Sequence, residues 1–428
     1  MTSNKPFKPS PLMSLDEALN QVLSEVKPLT DIEVIPTLDA DGRFLAENLL
    51  SELQVPPQDN SSMDGYAVRV EDLAQAGVKL KVTQRIPAGH YGHELKAGEA
   101  ARIFTGAPIP PGANAVVMQE DAQILDAESR ETVNPVVLIN VVPPLGQWIR
   151  RSGEDVRRGD VVLAQGTRLN PASLGLTASI GRSQISVLRK PRVALFSTGD
   201  ELVMPGDIAP QNMPPGAIYN SNRFFLRALL VRAGCSVTDL GIVPDNLPDT
   251  LRVLKAAAHN HDLVLTSGGV SVGEEDHVKP AVEQLGRLNL WQISMKPGKP
   301  FAFGHLNTLD GAHSGKTYFM GLPGNPVSSY VTFQLLVRPF LMKLQGQNHV
   351  SPQPYQAQAD FDFPKPDKRR EFLRVQRNSN GNLDLFPNQS SGVLTSAVWG
   401  DGLVDNPGGQ TIAAGDTVQY LPFAELLA

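Results

Sequence analysis

Thr266-Ser267-Gly268-Gly269-Val270-Ser271-Val272-Gly273-Glu274-Glu275-Asp276 is the stretch that decides the fold. It follows Asp262-Leu263-Val264-Leu265, an apolar run that reads as a short buried strand. Its glycines and serines leave the backbone nearly bare. Glycine permits positive φ and close approach, so N–H groups can turn toward an anion. Three carboxylates follow at once, and carboxylate oxygens are the ligands Mg²⁺ prefers. A loop of this kind standing alone also serves as an ordinary polar turn, so its meaning depends on its neighbours.

Outward from that loop, residues 190–346 alternate strands and helices. Strands are expected at Arg192–Ser197, Ser236–Val243, Asp262–Thr266, Leu288–Met295 and Thr317–Leu322. Helices are expected at Ser221–Ala233, Pro248–His259 and about Pro326–Leu344. This alternation predicts an α/β domain whose parallel sheet is covered on both faces. Ligands of such sheets sit beyond the carboxyl ends of the strands. Ser197-Thr198-Gly199-Asp200-Glu201, the 266–276 loop and Leu322-Pro323-Gly324-Asn325 therefore share one rim.

The flanks read differently. Ser14-Leu15-Asp16-Glu17 is a capping box, and Leu15, Ala18, Leu19, Val22 and Leu23 fall on one helical face. Residues 12–55 and 153–189 are expected to form a discontinuous N-terminal dimerisation domain. Residues 56–152, bordered by proline pairs, carry short β-rich pieces at Lys79–Thr83, Ala115–Gln119 and Val136–Val142. They predict a small inserted β domain. Residues 347–428 return to short strands and turns, and predict a C-terminal β-barrel-like domain.

A chain of 428 residues suggests about three domains on length alone. Its net charge of −6, without long runs of one sign, argues against nucleic acid or an anionic membrane as the main partner. The sole cysteine, Cys235, cannot form an intrachain disulfide and is expected to be a small buried hydrophobe. No run approaches 18 apolar residues, and the polar, proline-rich start has no signal-peptide core. A cytoplasmic protein without a membrane span is expected.

Two further segments carry chemistry. Lys296-Pro297-Gly298-Lys299-Pro300 is a cationic loop stiffened by prolines, which can preorganise ammonium groups toward an oxyanion. Leu322-Pro323-Gly324-Asn325-Pro326 lies at a strand-to-helix junction, where free N–H groups suit a phosphate. Asp64, Asp155, Asp200, Glu201 and Asp245 stand in similarly punctuated segments. Singly, each suits a cap or an Asx-turn. Together with the lysines and the glycine loop they suggest Mg²⁺-assisted chemistry on a phosphorylated ligand. Gly311–Thr317 resembles a P-loop, but its first glycine is one residue too close and it precedes a strand. The histidines show no metal-ligand spacing.

Taken in order, these segments resemble the MoeA family, the molybdopterin molybdenumtransferases. The matching pieces are Ser62–Ala67, Thr105–Pro108, Arg150–Asp155, Ser197–Leu202, the 266–276 loop, Lys296–Gly304 and Leu322–Ser329. The resemblance implies a molybdopterin-binding domain at 190–346 and a homodimer whose active site is completed by the partner's β insertion. It implies a reaction in which adenylylated molybdopterin and molybdate react, AMP leaves and molybdenum enters the dithiolene. Asp64, Thr105, Asp155, Glu201, Asp276, Lys296 and Lys299 are the implied catalytic residues. Ser267, Gly268, Gly269, Ser271, Gly273, Pro300, Gly324 and Asn325 would bind pterin and phosphate. Glu201, Asp245 and Asp276 would organise Mg²⁺. In the C-terminal domain, Arg374 and Ser391 best match an Arg and a Ser near molybdate, although Ser390 competes and Arg369-Arg370 departs from the usual Gly-Arg.

Two other functions compete. A MogA-like adenylyltransferase shares the central domain, but the flanking segments favour insertion. A non-catalytic scaffold would need a linker and a second enzymatic domain. A molybdopterin adenylyltransferase and downstream molybdenum enzymes are the expected partners.

Overall fold

The structure is a computed structural model that describes residues 12–125, 135–269, 277–307, 316–347 and 350–427. The chain forms two compact units, Met1–Glu33, Gly42–Phe44 and Val187–Ala428 in one, Val34–Asp41 and Leu45–Ser186 in the other.

The first unit is built on a six-stranded sheet. Its strands are β1 (Arg192–Thr198), β2 (Ser236–Val243), β3 (Leu263–Ser267), β4 (Gly286–Gln292), β5 (Pro300–Asn307) and β6 (Lys316–Leu322), in the order β2-β1-β3-β6-β5-β4. Strands β2, β1, β3 and β6 are parallel. The sheet is not parallel throughout: β5 and β4 run antiparallel to their neighbours. The connections 293–299 and 308–315 are too short for the crossover that parallel strands need. Strand β5 is absent from the sequence reading because prolines and glycines at its start mask its Phe301–Phe303 core.

Alternate residues of each parallel strand enter opposite cores. Val193, Leu195, Leu263, Leu265, Met320 and Leu322 pack on one side with Leu226, Leu230, Val327 and Phe340. Ala194, Phe196, Val264 and Phe319 pack on the other with Leu254, Ala257, Val278 and Val282. Helices α1 (Asn222–Arg232), α2 (Leu247–Asn260), α3 (Val278–Leu285), α4 (Pro326–Thr332) and α5 (Arg338–Leu344) cover these faces. Helix α1 ends at Gly234, whose φ of 82° lets Cys235 N–H donate back to Leu230 O. Cys235 is buried, and burial pushes its thiol well above the ordinary range. Between α4 and α5 lies a π-helical turn, Phe333–Val337. Pro339 follows; in a regular helix its ring would clash with the carbonyl four residues back, and the wider turn makes room.

The start of the sheet is tied by one carboxylate. Asp262 accepts from Arg189 Nη1 and Nη2 at 2.6 and 2.8 Å and from Arg192 N–H at 2.7 Å. Its own backbone bonds Arg192 O and Tyr318 N. Arg189 also donates to Asp31.

Helix Leu15–Glu25 belongs to this unit. Its capping box forms as the sequence predicts, with Glu17 N–H donating to Ser14 Oγ and Ser14 N–H to Glu17 Oε2. The sequence reading groups this helix with residues 153–189. Its apolar face, Leu15, Ala18 and Val22, lies instead in the same core as Phe340 and Leu341. The C-terminal sheet pairs Met295–Lys296, Arg370–Arg377, Gly402–Asn406, Thr417–Pro422 and Tyr355–Gln358 in that order, with Leu383–Leu385 beside Arg370–Arg377. Phe372, Leu403 and Leu421 turn into the central core, whereas Leu373, Val375 and Val404 build a separate one.

The second unit carries another six-stranded sheet, including Gly65–Val68, Val78–Ile86, Glu99–Ile103, Ala115–Met118 and Val136–Ile139. Helix Pro171–Ser179 begins at Asn170, which accepts from Ser173 N–H. Among the described residues no helix is long and apolar enough to cross a membrane.

Arg189 and Asp262 are both largely buried. Removing one member of such a pair strands the other's charge, so Arg189→Met is expected to lower unfolding stability by about 3 kcal/mol. Urea denaturation followed by circular dichroism measures this.

Candidate active site

The carboxyl ends of β1, β3 and β6 open onto a cavity of about 700 Å³. Ser197, Thr198 and Glu201 line it from the first strand, Ser267, Gly268 and Gly269 from the second, and Pro323, Gly324, Asn325 and Ser328 from the third. Pro300, Gly392 and the segment Ile218–Asn222 also line it. Of the residues singled out in the sequence, Glu201, Ser267, Gly268, Gly269, Pro300, Gly324 and Asn325 meet here. Ser271, Gly273 and Asp276 lie outside the described residues, as does most of the P-loop-like segment.

The glycine loop is held by close backbone contact. Gly268 and Gly269 have φ of 91° and 66°. A Cβ on Gly268 would lie 2.8 Å from Thr198 O; one on Gly269 would lie 2.5 Å from Val278 Cγ2. Glycine is required at both. The Gly268 N–H is already spent on Leu322 O at 3.1 Å, so it stitches β3 to β6 and does not face a ligand. The junction after β6 is engaged as well: Val327 N–H donates to Ser391 O at 2.9 Å. The C-terminal domain thus reaches the start of α4 through a backbone carbonyl.

Two asparagines escape the sequence reading. Asn222, the first residue of α1, donates through Nδ2 to Ser267 Oγ at 2.8 Å and to Gly324 O at 2.7 Å. It clamps two rim loops together. Asn220 lines the cavity, and its buried Nδ2 has no partner among the described residues. A buried amide left this way carries an unmet donor that a ligand could satisfy. Asn220-Ser221-Asn222 was the available signal, a polar triplet immediately before an apolar helix.

Carboxylates and cations are placed unequally. Glu201 is exposed and folds back toward Gly199, where a Cβ would lie 2.6 Å from its Oε2. Asp245 accepts from Thr198 Oγ1 at 3.2 Å. No group of three metal-ligating side chains occurs among the described residues. Lys299 is exposed, and Lys296 Nζ lies 3.0 Å from Glu371 Oε1. Arg374 is 1% exposed; its Nε donates to Ser396 Oγ, its Nη1 to Phe372 O, and its buried Nη2 has no partner among the described residues. Burial pushes its pKa down to about 10, opposed by the Glu371 carboxylate. Ser391 meets α4 through its backbone, and the hydroxyl on Arg374 is that of Ser396.

In the second unit, exposed Asp64 accepts from Thr105 N–H and Oγ1 at 2.8 and 2.9 Å. These bonds, the backbone one first, hold its carboxyl below the ordinary range, with help from Arg102. Arg102 donates to Gly65 O and lies over the Phe104 ring. Asp155 is exposed, its N–H donating to Val55 O.

Three family models match successive parts of the chain. They are the MoeA N-terminal region (domain I and II) at residues 13–181, a "Probable molybdopterin binding domain" at 194–343 and the MoeA C-terminal region (domain IV) at 356–423. A molybdopterin molybdenumtransferase from Haemophilus influenzae is 39% identical, covering 97% of this chain and 100% of the relative. One from Bacillus subtilis is 33% identical, covering 96% and 94%. The crystal structure of the molybdopterin biosynthesis moeA protein from Pyrococcus horikoshii OT3 superposes with a TM-score of 0.79 at 30% identity, covering 96% of this chain and 100% of that one.

Asn222→Leu would strand Ser267 Oγ and Gly324 O, and is expected to cost about 2 kcal/mol. Urea denaturation measures the loss. Hydrogen exchange should show Gly268 deprotected by about tenfold or more, as expected when a loop leaves the cooperative core.

Proposed function

We propose a reaction for this chain from the premise that it belongs to the MoeA family and is a transferase of molybdenum cofactor biosynthesis. It takes adenylylated molybdopterin and molybdate, releases AMP and delivers molybdenum to the dithiolene. The observation that carries this reading is the convergence of Glu201, Ser267–Gly269, Asn220, Asn222 and Gly324–Asn325 on one cavity at the strand ends. Its volume of about 700 Å³ is within the range of small-molecule sites, which run to about 1,000 Å³.

The residues divide the work. Asn220 Nδ2 and the hydroxyls of Ser197 and Ser328 offer hydrogen bonds to the pterin or phosphate. Pro300 and the bare backbone of Gly268-Gly269 let a flat ring lie close. Lys296, Lys299 and Arg374 meet molybdate or the charge developing on phosphate, with Ser391 adding a polar contact. Asp64 and Thr105 form a second, rigid acidic element. Asp155, Ser271, Gly273 and Asp276 complete the assignment as family positions. Mg²⁺ suits this donor set, because it binds through one or two carboxylates plus substrate phosphates and does not require a full protein cage. Glu201 and Asp245 would hold it with Asp276, and it would neutralise the pyrophosphate being cleaved. A homodimer fits the exposed apolar side chains of Val34 and Leu38 in the second unit.

The test combines purified protein, adenylylated molybdopterin, molybdate and Mg²⁺, with AMP release and molybdenum insertion followed together. Glu201→Gln is expected to slow both by about a hundredfold, the scale of losing one preorganised electrostatic group. Consumption of ATP without molybdate would instead support the adenylyltransferase reading.

A further inference from the structure

We propose that Glu371 is a latch on Lys296. It is a positioning carboxylate that parks the ammonium on the C-terminal sheet, off the cavity wall, until an oxyanion replaces it. The inference rests on the reading above that Lys296 meets molybdate.

Glu371 is 2% exposed. A buried carboxylate needs a countercharge or a full set of hydrogen bonds. Glu371 Oε2 accepts from Asp367 N–H at 2.7 Å, and Oε1 lies 3.0 Å from Lys296 Nζ. The backbone enforces this meeting, because Met295–Lys296 and Arg370–Glu371 are parallel strand neighbours in which Lys296 stands beside Glu371. The other charges facing the pair do not replace it. Asp367 is 3.8 Å from Lys296 Nζ and is itself occupied by Arg369. Arg374 feels the Glu371 charge, but its guanidinium bonds go to Ser396 and Phe372.

Lys296 differs from these groups in being able to leave. Its side chain is 42% exposed, and its stem is flexible. The loop that carries it reaches the cavity wall at Pro300. Lys296 itself is not among the residues lining that wall. An oxyanion that recruits Lys296 must therefore win it from Glu371, and the apparent affinity falls by the fraction of protein in which the lysine is free. The latch thus lowers the apparent affinity of every anion that uses Lys296 by the same factor.

Molybdate titrated calorimetrically into the full-length protein tests this with Glu371→Gln, Lys296→Met and the double variant. Glu371→Gln should bind molybdate about fivefold more tightly, the scale on which a partly exposed ion pair ceases to compete. That gain should vanish in the Lys296→Met background. A merely structural ion pair would lower melting temperature without tightening anion binding. Should Glu371→Gln fail to fold, Glu371→Asp, with its shorter reach, should give a smaller gain of the same sign. Unchanged or weaker binding in a folded Glu371 variant, or an equal gain without Lys296, overturns the latch. If Lys296→Met alone leaves molybdate binding unchanged, the assignment of Lys296 to the oxyanion fails too.

Discussion

The Asp262 carboxylate sets the geometry on which the active rim depends. It accepts from Arg189 Nη1 and Nη2 and from the Arg192 N–H. It thereby fixes where β1 begins relative to β3. Parallel strands of fixed register end at fixed heights, so the loops after Thr198, Ser267 and Leu322 emerge together. Asn222 then ties two of those loops directly. Position at the site is thus inherited from an ion pair at the opposite end of the sheet. The pair is buried in an environment where a lone charge would be costly, so it is maintained or the unit opens.

The C-terminal domain contributes to the same region in two physically distinct ways. Its backbone caps α4 through Ser391 O. Its strand Arg370–Arg377 holds the Lys296 segment by sheet pairing and by charge. The cations proposed to meet an oxyanion are thus governed by different surroundings. Lys299 is solvated, Lys296 is paired, and Arg374 is desolvated, its Nη2 without a partner among the described residues.

Much of this was legible in the sequence, where a single physical signal dominated. The apolar runs at Arg192–Ser197 and Asp262–Thr266 are buried on both faces, so composition alone marks them as central strands. Ser14 and Glu17 spell out their capping box. The rim followed from strand direction once those strands were placed. The remainder depended on long-range pairing that no local pattern encodes. Strand β5 is interrupted by Pro300 and Gly304, and its antiparallel sense follows from connection length. Asn222 looked like an ordinary helix-start residue until Ser267 and Gly324 were brought to it. Lys296 read as a free cation because Glu371 is 75 positions away along the chain. Likewise, Arg374 Nε donates to the hydroxyl of Ser396, and Ser391 meets α4 through its backbone carbonyl.

The π-helical turn at Phe333–Val337 has a consequence for how this segment is to be compared with its relatives. A π-turn holds an extra residue within the helical path. It advances the side-chain phase, so α4 and α5 present their buried stripes in two different frames. Val327 and Val331 define one frame, and Phe340, Leu341 and Leu344 the other. A relative lacking one residue between these stripes would be expected to keep both buried faces while losing the wide turn. Such a gap in an alignment marks a change in helical winding, with the core itself intact.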